Sequence, residues 1–112
     1  MAKFSRSGTL QGTNTLDTVV FTVDLPATIT YTVKARGSGN NQLRVRCGQK
    51  LIAIWAQLHD FKLSPGQSAS RTFKTDLDGT TPTTDRRQDI RIRLSRDLLA
   101  QEIAWELDWT VD

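Results

Sequence analysis

Residues 102–112 read EIAWELDWTVD, and their alternation decides the fold class. Ile103, Trp105, Leu107, Trp109 and Val111 are apolar, while Glu106, Asp108 and Thr110 between them are polar. In a strand, successive side chains point to opposite faces, so this period of two describes a strand with one buried face. The same pattern recurs upstream. TITYTVKAR at 28–36 sends Ile29, Tyr31, Val33 and Ala35 one way and Thr30, Thr32, Lys34 and Arg36 the other. QLRVRC at 42–47 separates Leu43, Val45 and Cys47 from Arg44 and Arg46, and QDIRIRLSRD separates Ile90, Ile92 and Leu94 from Arg91 and Arg93.

Turn residues punctuate these runs every eight to twelve positions, and nothing sustains a helical period. The pattern predicts an all-β chain: a two-sheet antiparallel β-sandwich, jelly-roll-like, of about eight strands. LDTVVFTV at 16–23 and SASRTFKT at 68–75 supply two more strands, and the predicted core is Val19, Phe21, Ile29, Tyr31, Val33, Leu43, Val45, Phe73, Ile92, Leu94, Trp105 and Leu107. Residues 1–15 are polar enough to read as an N-terminal arm, with 16–112 as the single sandwich domain. Gly48-Gln49-Lys50 reads as a turn. LIAIWAQL at 51–58 is apolar on both faces, which predicts a central strand or one that faces a partner.

Neighbouring strands in sequence usually neighbour in space, so 88–97 and 102–112 are expected to form a hairpin around Leu98 to Gln101. That register sets Arg93 against Glu106 and Arg91 against Asp108, with Trp105 and Trp109 packed on aliphatic partners.

With 112 residues the chain is large enough to bury a core without covalent staples. The single cysteine, Cys47, excludes an internal disulfide and a thiolate zinc cage. No signal peptide, membrane span or lipidation motif is legible, so a soluble protein of a cytoplasm or a virion is expected. Net charge is +3, with seven Lys/Arg against two acids through residue 56 and eight against ten after it. Arginine outnumbers lysine by ten to five, which favours planar contacts to carboxylate or phosphate.

Catalytic patterns are missing. His59-Asp60 could orient a general base, but no serine sits in a nucleophile elbow, and His59 reads as an ordinary strand or turn residue. Cys47 continues an inward phase, where a thiol behaves as a small hydrophobe. Asp76, Asp78 and Gly79 imitate part of a calcium loop without its remaining ligands, so a plain turn is the reading there. No catalytic residue, cofactor or metal is expected, and an enzyme is not.

The expected work is contact. Lys34, Arg36, Arg44 and Arg46 lie on the outward phase of consecutive strands, and would form one cationic patch if those strands pair. Trp55 in the two-sided apolar run, and Asp78, Arg86 and Arg87 at the tip of the long polar segment 76–88, complete the candidate partner-binding set. The leading expectation is a non-enzymatic assembly protein acting through protein–protein contacts, such as a decoration or accessory protein of a phage virion, and a homo-oligomer. Two alternatives stand beside it. One is a lectin-like carbohydrate-binding module, motivated by tryptophans on a sandwich; the other is nucleic-acid binding through the basic face, disfavoured because no exposed aromatics alternate with the cations. No membrane partner is expected.

Overall fold

The computed structural model describes residues 1–37, 39–51, 54–75, 87–98 and 101–112. Its strands are β1 (Ala2–Leu10), β2 (Leu16–Asp24), β3 (Ala27–Gly37), β4 (Leu43–Leu51), β5 (Ile54–Leu63), β6 (Ser68–Thr75), β7 (Arg87–Arg96) and β8 (Ile103–Val111). They form two four-stranded sheets of order β1-β8-β3-β6 and β2-β7-β4-β5, and every pairing is antiparallel. Only the β4–β5 connection stays within one sheet; each of the others crosses to the opposite sheet. This is the jelly-roll arrangement of two interleaved Greek keys.

The period-2 alternation builds the core directly. Ile29, Tyr31, Val33, Leu43, Val45, Ile92, Leu94, Trp105 and Leu107 are buried between the sheets, together with Leu10, Val23, Ile90, Ile103 and Trp109. Val19, Phe21 and Phe73, also expected inside, are partly buried at its margins. Each fully buried aliphatic side chain contributes roughly 1.5–3 kcal/mol relative to exposure.

Four expectations are corrected. Residues 2–10 are no arm but the edge strand β1, paired with β8 from Ala2–Val111 to Leu10–Ile103. Arg6 interrupts the apolar phase of Phe4, Gly8 and Leu10, which hid the strand, and Gly8 is small for a reason: a Cβ there would lie 2.8 Å from the Trp105 ring. The run 51–58 is no central strand, because β4 ends at Leu51, β5 begins at Ile54, and β5 is the sheet edge. The expected turn at 48–50 is strand. Gly48 sits at a register shift in the β4–β5 ladder, where a Cβ would lie 3.0 Å from the Ala56 carbonyl oxygen.

The fourth correction is topological. β7 and β8 do not pair; β7 lies between β2 and β4, and β8 lies between β1 and β3. Each thereby has a hydrogen-bonded neighbour on both sides. A buried polar hub fixes this crossover. Arg96 donates from Nη1 to the Leu10 and Gln101 carbonyls at 3.2 and 3.1 Å and from Nη2 to the Gly12 carbonyl at 2.6 Å. Asn41 donates to the Leu98 and Gln101 carbonyls at 3.2 and 2.7 Å and accepts from the Leu98 N–H at 2.8 Å. Three inter-sheet loops are thus tied at one end of the sandwich.

Candidate contact face

The two sheets present different outer faces, and the expected four-cation patch is split between them. β3 and β4 belong to different sheets, so Lys34 and Arg36 lie on one outer face while Arg44 and Arg46 lie on the other. The sequence could not show this, since outward phase does not say which sheet a strand joins. On the first face, Lys34 is opposite Glu106 and Arg36 is 3.3 Å from the same carboxylate. Around them runs a field of hydroxyls: Thr30 Oγ1 is 3.0 Å from Thr72 Oγ1, Thr32 Oγ1 is 2.6 Å from Ser70 Oγ, and Ser5 donates to Asp108 at 2.5 Å.

The second face concentrates guanidinium groups. β4 and β7 pair with Arg46 directly opposite Arg93, Arg44 opposite Ser95 and Gly48 opposite Arg91. Arg44 is satisfied by a bidentate bond to Asp60, Nε to Oδ1 at 2.9 Å and Nη2 to Oδ2 at 2.7 Å. That pairing holds the Asp60 carboxyl below its ordinary range and raises Arg44. Among the described residues neither Arg46 nor Arg93 has such a partner. Partial burial, then repulsion from Arg93 and Arg44, lowers Arg46; partial burial, then repulsion from Arg91 and Arg44, lowers Arg93. The Nε atoms of Arg46 and Arg91 are buried without a hydrogen-bond acceptor among the described residues.

Trp55 joins this face. Half-buried on β5, it carries the Arg91 guanidinium 4.4 Å above its ring, and Gly48, lacking a side chain, leaves the intervening row open. Arg87 opens β7 and lies 3.7 Å from Asp24. Asp78, Arg86 and the calcium-like turn at Asp76 fall outside the described residues. Arg91 and Arg93 were missed as site residues. Their outward phase was legible, but the expected hairpin neutralised them against Glu106 and Asp108, which the structure places on the opposite face.

The two sequence candidates for chemistry lie elsewhere and apart from each other's expected roles. Cys47 is 1% exposed, and burial pushes its thiol up to about 12. His59 Nδ1 is 2.8 Å from the Tyr31 hydroxyl, and burial followed by the nearby Arg71 charge lowers its pKa. Asp60 points to the other face, on Arg44, so the two residues do not act as a pair. Among the described residues no group of three His, Cys, Asp or Glu is placed to hold a metal ion, and no helix is long and apolar enough to cross a membrane.

No protein-family model and no curated protein matches the sequence. Solved structures share its architecture. The chain resembles the Yersinia pseudotuberculosis-derived mitogen at a TM-score of 0.61 with 8% identity, over 97% of this chain and 85% of that one. A chain of Broad Bean Stain Virus superposes at 0.60 with 10% identity, over 100% and 86%. A chain of the naturally occurring empty particles of Cowpea mosaic virus superposes at 0.50 with 14% identity, over 100% and 86%. At such identities the likeness establishes the β-sandwich fold, and function must be argued from the surface.

Proposed function

We propose that this protein is a non-enzymatic structural protein that works by contact, docking an acidic protein surface on the outer face of β7, β4 and β5, in the assembly or decoration of a larger particle. The observation that carries this reading is the Arg46–Arg93 cross-strand pair. Like charges set directly opposite destabilise a sheet, so the folded chain keeps a local cost that a partner's carboxylates would relieve. Arginine suits such a partner, since its fork matches a carboxylate bidentately. The fold's occurrence in two virus chains agrees with this reading as an analogy of architecture.

A second reading has one observation of its own. Trp55 beside Arg91 supplies an aromatic ring among the cations, the element that single-strand nucleic-acid binders add to a basic groove. Fluorescence anisotropy with labelled poly-glutamate and with a labelled dT oligonucleotide, each across a salt series, separates the two. The assembly reading expects poly-glutamate to bind and Arg93→Glu to abolish it. Tighter oligonucleotide binding with a steep salt slope would transfer the face to nucleic acid. Equal binding by wild type and Arg93→Glu would remove this face from either role.

A further inference from the structure

We infer that β2 is a docking edge for a second copy of this chain, joined edge to edge in one continuous eight-stranded sheet. This rests on the assembly reading and names a partner for it.

The two sheets end in four edge strands, β1, β6, β2 and β5. An exposed edge strand is a template for foreign strands, and proteins guard such edges with charges, inward-pointing cations, prolines or bulges. β1 carries Lys3 and Arg6, the latter in its inward phase opposite Leu107. β6 carries Arg71 and Lys74. β5 carries Asp60 and Lys62 and shares a bulge with β4. β2 has none of these guards over its central stretch. From Thr18 to Val23 it reads TVVFTV, without charge or proline, and its ladder with β7 runs without a register shift. Among the described residues its other edge has no partner. Val20 projects from the outer face at 55% exposure and Leu16 at 43%.

Self-complementarity selects a second copy. A two-fold axis normal to the sheet pairs β2 with itself antiparallel and keeps each side chain on its own face, so odd residues meet odd and even meet even. With the axis at Val20, Val20 faces Val20, Thr18 faces Thr22, and Val19 faces Phe21. The charged ends never meet: Asp24 falls opposite Leu16, and Asp17 opposite Val23. Asp17 is in any case engaged within its own chain, accepting from Trp105 Nε1 at 2.8 Å and from Asn14 at 2.9 Å.

A second feature of the same flank points the same way. Between the edges of β1 and β2 opens a slot of about 490 Å³ lined by Phe4, Val19, Phe21 and Trp109, where Trp109 stacks on both Phe4 and Phe21 at 5.3 and 4.8 Å. Phe4 is half-exposed there. A second copy along β2 would cover this apolar margin. It would also set the Arg46–Arg93 rows of both chains on one side of the joined sheet, doubling the cationic face proposed above.

The test is native mass by light scattering behind size exclusion over a concentration series, on wild type, Val20→Thr and Val20→Lys, with circular dichroism checking each fold. Wild type and Val20→Thr are expected at twice the chain mass. Val20→Lys, which sets two ammonium groups at the two-fold axis, is expected to raise the dimer dissociation constant by roughly tenfold or more. Independently, Val20→Cys should cross-link to a dimer under mild oxidation, because its two copies lie within disulfide reach and Cys47 is buried. Lys74→Cys on the β6 edge should stay uncross-linked. An oligomer indifferent to Val20→Lys would overturn the β2 edge and leave the assembly reading standing. A wild type monomeric at every concentration would overturn the β2 dimer, and binding of poly-glutamate would then decide the arginine face alone.

Discussion

The two outer faces of this sandwich are built on the same alternation, yet they resolve their charges in opposite ways. On the β1-β8-β3-β6 face, Lys34 and Arg36 meet Glu106, and hydroxyls on neighbouring strands bond one another. On the β2-β7-β4-β5 face, Asp60 neutralises Arg44, while Arg46, Arg93 and Arg91 are left among themselves and Trp55. Side chains that satisfy one another need no partner; side chains that repel one another are stabilised by one. On the proposed reading, that difference separates a solvated face from a contact face.

The substitution with the largest expected effect breaks both faces at once. Arg96 holds the loops that assign strands to sheets, and Arg96→Met takes the guanidinium donor from the Leu10 and Gly12 carbonyls and leaves the Gln101 carbonyl to Asn41 alone. A loss of roughly 2–4 kcal/mol is expected, read as a lowered midpoint in urea unfolding. An unchanged midpoint would mean that the hub does not hold the crossover.

Next comes a change that makes the second face resemble the first. Arg93→Glu replaces a like-charge pair by an ion pair with Arg46, and thermal unfolding should shift upward by up to ~1 kcal/mol while anion binding falls. Stability and binding moving together would contradict the assignment of this face. The converse change is Glu106→Gln, which strips the first face of its neutralising carboxylate. Exposed pairs are weak, so a loss of about 0.5 kcal/mol or less is expected, with poly-glutamate binding on the first face as the sharper readout.

The smallest effect is a pH dependence. The Asp60 carboxyl titrates below its ordinary 3.8 because Arg44 hydrogen-bonds its charged form. Its contribution is therefore present above that value and is lost as the pH falls through the lowered one. Melting temperatures of wild type and Asp60→Asn should differ at neutral pH and converge in acid. Curves that stay parallel down to low pH would show that the Arg44–Asp60 pair does not contribute to the folded state.

The inward phases of β3, β4, β7 and β8 were fully legible because burial on one face imposes a period of two that no other element shares. β1 was hidden by a single residue, Arg6, which guards the edge by breaking the apolar phase. The run 51–58 misled because hydrophobicity on both phases signals a central strand, whereas here it spans the connection between β4 and β5. The candidate site was half legible. Arg44, Arg46 and Trp55 stood out from composition and phase, but Arg91 and Arg93 were assigned to the wrong neighbours.

By itself, then, the sequence determined the all-β class and the inward faces of β3, β4, β7 and β8, since each depends on residues two apart in the chain. Only the tertiary structure decided which strands share a sheet, that Lys34 and Arg36 part from Arg44 and Arg46, and that Arg93 meets Arg46. Those outcomes depend on loop crossings fixed by Arg96 and Asn41. A buried polar hub binds groups distant in sequence, and a local pattern carries no record of it.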